Sequence, residues 1–112
     1  MISEEQIQVV TERLRRAAPD ATIVLYGSHA RGDAGEGSDL DILVVQPVVE
    51  SRHEEMVRLD GEMRGLRILT DILVVSAAVY EEWADEPGTV LYEAAREGRV
   101  LYAPRPEAAS QH

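Results

Sequence analysis

The chain has 112 residues, with 21 acidic against 11 basic side chains and a formal net charge of −10. That length suits one compact domain and leaves no room for a second, substrate-binding domain, and the charge repels a polyphosphate backbone, so stand-alone binding of DNA or RNA is not expected. There is no cysteine for a disulfide or a thiolate metal site, "MISEEQIQVV" lacks the layout of a signal peptide, and no apolar run approaches the roughly 18 residues of a membrane span, so a cytoplasmic protein is expected.

Ser3 and Gln6 have capping-box spacing, and Ile7, Val10, Leu14 and Ala17 recur at helical intervals, which predicts a first helix over about residues 4–18. The β-branched run "ATIVLY", residues 21–26, predicts a strand that Gly27 ends. Residues 28–32 read as a helical turn capped by Ser28, and glycines 32, 35 and 37 as a flexible loop. "DLDILVV", residues 39–45, is the second strand; Met56, Leu59, Met63 and Leu66 give a helix over about residues 49–64 its apolar stripe. "RILTDILVV", residues 67–75, is the third strand, Ser76 caps a helix reaching Trp83, and "DEPG" is a break. A last helix, "TVLYEAARE", stops at Gly98; "RVLY", residues 99–102, is an edge strand, and the domain of residues 1–103 ends in a loose tail from Pro104. The expected fold is α+β: a small mixed sheet with helices packed on one face.

"DILVV" occurs at residues 41–45 and again at 71–75, separated by enough chain for a helical crossover, which would make the second and third strands parallel. In that register Asp41 and Asp71 lie side by side, roughly 5 Å apart between backbones. Alternation along the strand also puts Asp39 and Asp41 on one face, opposite Leu40, Ile42 and Val44. Two unit charges 4 Å apart repel by about 4 kcal/mol at an effective dielectric of 20, so the carboxylates call for a cation, and hard oxygen ligands without a nearby His or Cys suit Mg²⁺ or Mn²⁺. Gly27 permits close backbone approach, Ser28 offers a hydroxyl and an N–H, and Arg31 is a planar cation for phosphate oxygens. The segment is neither a Walker A loop nor a dinucleotide fingerprint. His29 reads as an exposed residue, and Tyr26, Tyr80, Tyr92 and Tyr102 as core-edge or interface residues.

"GSHARGDAGEGSDLD" has the form Gly-Ser, ten residues, Asp-x-Asp, and resembles the signature of the polymerase-β-like nucleotidyltransferase superfamily. The order of elements and the ending "GTVLYEAAREGRVLYA" resemble its minimal nucleotidyltransferase branch, whose members are commonly antitoxin partners of HEPN-domain toxins. The resemblance implies that Gly27 and Ser28 hold nucleotide phosphates, that Asp39, Asp41 and Asp71 bind two Mg²⁺ ions, and that Asp71 is the catalytic base. It implies ATP as donor and a tyrosine of the toxin as acceptor of AMP, recognised by a partner surface in a homo- or hetero-oligomer. Two rivals remain beside it: an antitoxin that masks its partner with a vestigial nucleotide site, and transfer to a small molecule of the aminoglycoside type.

Overall fold

The computed structural model describes residues 2–104, so all of the expected tail except Pro104 lies outside the described residues. Helix α1, Glu4–Ala17, opens on a complete capping box, in which the Ser3 hydroxyl accepts from Gln6 N–H and the Gln6 side chain accepts from Ser3 N–H. Strand β1 is Thr22–Tyr26, the short α2 is Ser28–Arg31, and β2 is Leu40–Gln46. Then come α3, Arg52–Gly61; β3, Thr70–Ser76; α4, Ala77–Trp83; α5, Val90–Glu97; and β4, Arg99–Tyr102.

The four strands form one mixed sheet in the order β3-β2-β1-β4. β1 is antiparallel to β2 and to β4, whereas β2 and β3 run parallel and pair Asp41 with Asp71 and Ile42 with Ile72 through to Gln46 with Ser76. This is the register that the repeated pentapeptide predicts.

Alternation then divides the apolar residues between two faces. Ile23, Leu25, Leu40, Ile42, Val44, Ile72 and Val74 point to one face, where Ile7, Val10 and Leu14 of α1 and Leu59 of α3 complete the larger core cluster. This is the helical face that the sequence leads one to expect. The other face adds a smaller cluster of Val24, Tyr26, Leu43 and Val75 under Leu91 and Ala94 of α5, with Tyr80 of α4 beside them. That second face is apolar at one end and carries Asp41 and Asp71 at the other, so the acidic end of the sheet stays outside the core.

Element ends differ from expectation for local reasons. α3 starts only at Arg52 because the Ser51 hydroxyl accepts from Glu54 N–H and fixes the cap there. β3 starts at Thr70 because β2 begins at Leu40, whose N–H donates to Leu69 C=O at 2.9 Å; residues 67–69 have no strand beyond it to pair with. Ser28 does not cap α2: it is the first residue of that helix, and the cap position belongs to Gly27, whose C=O accepts from Ala30 and Arg31 N–H.

Candidate active site

The site is assembled at the edge of the sheet where β1 ends and β2 and β3 begin. Tyr26 pairs with Asp41 and Asp41 with Asp71, so three adjacent strands set one residue each into a single cross-strand row on the α5 side. Asp39 precedes β2 by one residue and is exposed; it is not paired in the sheet, because Gly27 turns β1 away just past Tyr26.

Gly27 is the joint on which this geometry depends. Its φ of +75° lies in the left-handed region that side chains disfavour, and a Cβ there would stand 3.2 Å from Asp41 Cγ and overlap Oδ2. The glycine therefore lets the backbone entering α2 lie against the Asp41 carboxylate. Ser28 and His29 follow at the start of α2, both half-buried. His29 is not the free surface residue expected from sequence: its Nε2 lies 3.2 Å from Ser38 C=O and anchors the loop that leads into β2. Ser38 is held further by reciprocal bonds with Gly35, whose N–H donates to Ser38 Oγ at 3.1 Å.

The electrostatics of the row are those of crowded anions. Partial burial, then the carboxylates of Asp71, Asp39 and Glu93, raise the Asp41 carboxyl above its ordinary range, with His29 pulling the other way. The Tyr26 phenol is pushed up to about 12, by burial first and then by Asp41, Asp71 and Glu93, so it stays neutral across the working range. Among the described residues, no three His, Cys, Asp or Glu side chains already converge on one metal-binding point. The donor chemistry still fits a hard cation, since Asp41 is a carboxylate destabilised by its own kind.

Arg31 does not stand free. Its Nε donates to Asp33 Oδ2 at 3.2 Å and its Nη1 to Glu93 Oε2 at 2.9 Å, with Glu97 Oε1 3.6 Å away. Glu93 is thus a site residue that the sequence reading did not single out. It presses on both Asp41 and Tyr26 electrostatically and holds the one arginine of the motif, yet it lies in a helix 62 positions further along the chain. Its place in the last helix gave no reason to turn it toward this end of the sheet.

Several comparisons bear on this arrangement. No curated protein matches the chain in sequence. In structure it is similar to a protein of Sulfolobus solfataricus assigned as a nucleotidyltransferase, with a TM-score of 0.61 at 19% identity over 87% of this chain and 77% of that one. A second assigned nucleotidyltransferase superposes with a TM-score of 0.57 at 20% identity, over 86% of this chain and 97% of that one. A chain from a toxin-antitoxin structure with AMP-PNP does so with a TM-score of 0.53 at 20% identity, over 88% and 74%. At these identities the likenesses speak for the fold. The sequence itself matches the nucleotidyltransferase domain model over residues 7–102, which takes in the Gly-Ser turn, all three aspartates and α5. On that match, covering most of its length, the chain belongs to the nucleotidyltransferase domain family.

Proposed function

We propose that this nucleotidyltransferase transfers AMP from ATP to a tyrosine hydroxyl of a cognate HEPN-domain toxin, in a Mg²⁺-dependent reaction, and so acts as its antitoxin. The observation that carries the reading is the in-register pairing of Asp41 with Asp71 on parallel strands, against a Gly27 that leaves room for nothing larger beside Asp41. A chain with a TM-score of 0.53 to this one comes from a toxin-antitoxin structure with AMP-PNP, an analogue of the proposed donor with the same bond between its α and β phosphates. A further neighbour comes from a toxin-antitoxin pair, with a TM-score of 0.52.

Asp39, Asp41 and Asp71 would hold Mg²⁺ in this scheme. When bound, the metal supplies positive charge to the α-phosphate and to the pyrophosphate that leaves. The turn at Gly27 and Ser28 receives the polyphosphate through backbone N–H groups and the Ser28 hydroxyl. Arg31 balances charge on the phosphates once they replace Glu93 and Glu97 around its guanidinium. Asp71 lies at the sheet edge and is exposed, which suits it to accept the proton of an incoming hydroxyl as that oxygen attacks the α-phosphorus.

The test is to incubate the chain with Mg²⁺, ATP labelled on the α-phosphate, and the protein encoded by the adjacent gene. Label is expected on that partner and is expected to vanish with Asp41→Ala. A tight complex that never takes up label from any nucleotide would instead support neutralisation by masking.

A further inference from the structure

β3 is the outer strand of the sheet among the described residues, and one side of its backbone is open. Leu40 N–H bonds to Leu69 C=O, so by the alternation of a parallel ladder Leu69, Asp71 and Leu73 turn their peptide groups toward β2. Thr70, Ile72 and Val74 turn theirs outward. A cleft of about 310 Å³ lies along this edge between α3 and β3, lined by His53, Val57 and Asp60 on the helix and by Thr70, Asp71 and Ile72 on the strand. Two large apolar residues are left in solvent here, Val57 in the cleft at 60% exposure and Leu69 just before β3 at 70%.

We propose that this edge is the docking site of the acceptor: an extended, basic segment of the partner protein adds to the sheet as a fifth strand beside β3. The proposal rests on the transfer reading above and names where that acceptor binds. Three observations favour this occupant. The outward peptide groups of Thr70, Ile72 and Val74 form a ready hydrogen-bonding template, which proteins otherwise blunt with charge, proline or a covering loop. Val57 and Leu69 offer apolar contact to alternate side chains of such a strand. Asp60 and Asp71 line the cleft, on a chain of net charge −10, and so favour Lys and Arg in the segment that enters.

The placement also has a chemical consequence. A strand added beside β3 lies roughly 4.8 Å away, and its residue opposite Asp71 continues the row of Tyr26, Asp41 and Asp71 on the same face. An acceptor hydroxyl carried there meets Asp71 before any other carboxylate. Asp71 takes the proton, the hydroxyl oxygen forms the bond to the α-phosphorus, and the bond from that phosphorus to the pyrophosphate oxygen breaks.

The experiment measures the partner's affinity by calorimetry for the wild type, Thr70→Pro and Val57→Lys, with binding of Mg²⁺ and a non-hydrolysable ATP analogue as control. Thr70→Pro removes one outward N–H without touching the bonds to β2; Val57→Lys places a cation in the path of a basic segment. Each is expected to weaken partner binding about tenfold or more, while analogue binding stays within about twofold. Partner affinity unchanged in both variants overturns the proposal. So does a wild type that sediments as a dimer, becomes monomeric in Val57→Lys and keeps its affinity for the partner, because the edge then serves a second copy. Weakened binding in both variants with no label ever transferred upholds the docking site and rejects the transfer reading. Transfer with an unchanged KM for the partner does the reverse.

Discussion

A methyl group at position 27 would collide with the Asp41 carboxylate in a backbone conformation that L residues avoid. Gly27→Ala is therefore expected to cost about 2 kcal/mol of stability from the left-handed backbone alone and to displace Asp41 as well. Thermal melting checks the first effect, and loss of nucleotide binding checks the second. Asp41 itself gives a signed pH dependence. Its folded pKa is raised, so the folded state holds that proton more tightly than the unfolded chain, and the carboxylate becomes a liability as pH rises through the raised value. Asp41→Asn is expected to melt higher than wild type at pH 7, with the difference closing below the ordinary value of 3.8. Mg²⁺ is expected to raise the melting temperature of the wild type and to leave Asp41→Asn nearly unmoved; equal shifts in the two proteins would remove the metal from this site. At this scale the sequence was informative wherever spacing alone fixes position, as with Asp41 and Asp71. It was silent on Glu93, because nothing within a helix tells which distant guanidinium its carboxylate will meet.

Among the elements, α3 carries one internal ion pair whose two members also bond to neighbouring elements and which titrates. Glu55 accepts from Arg58 and from Gln46 at the end of β2, while Arg58 Nη1 donates to Ala17 C=O at the end of α1 at 2.9 Å. Those bonds, Arg58 first and then Gln46, depress the Glu55 carboxyl to about 2. The contribution is thus present above the ordinary value of 4.5 and is lost as pH falls toward about 2. Because the pair is partly open to solvent, Glu55→Gln is expected to cost only about 1 kcal/mol at pH 7 and nothing at the acid end, read by denaturant melts across that range. Gly98 closes α5 onto β4 for reasons of space: a Cβ there would overlap Ala94 C=O and lie 2.7 Å from Val24 Cγ1. Its φ is −75°, so the stop foreseen at this residue arises from crowding and not from a left-handed turn. Element types were legible because short continuous apolar runs alternate along the chain with stretches whose apolar residues recur every three to four positions. Element ends were not, since β3 begins where β2 offers a partner and α3 where Ser51 can cap.

For the molecule as a whole, the second core face explains why the site is where it is. Leu43 and Val75 pack under α5 two and four residues beyond Asp41 and Asp71 on the same strands, so the apolar part of each strand anchors the acidic part. The parallel pairing of β2 with β3 follows from a crossover that the repeated "DILVV" made readable. The cover of α5 over the opposite face did not, although it is what brings Glu93 and Arg31 to the site mouth. Double substitution of Glu93 and Glu97 by Gln is accordingly expected to leave Arg31 with Asp33 alone and to tighten binding of a Mg²⁺-bound ATP analogue. Weaker binding would mean that the two glutamates position Arg31 and do not compete for it.

In the proposed reaction Asp41 and Asp71, brought together by parallel register, form the centre that moves AMP onto a partner hydroxyl. The most direct measurement is intact-mass spectrometry of the partner after one turnover with Mg²⁺ and ATP, for the wild type and Asp71→Asn. A single added AMP is expected with the wild type, and a rate lower by about a hundredfold or more with Asp71→Asn. An unchanged rate in Asp71→Asn, or a partner that binds tightly and gains no mass, would contradict it.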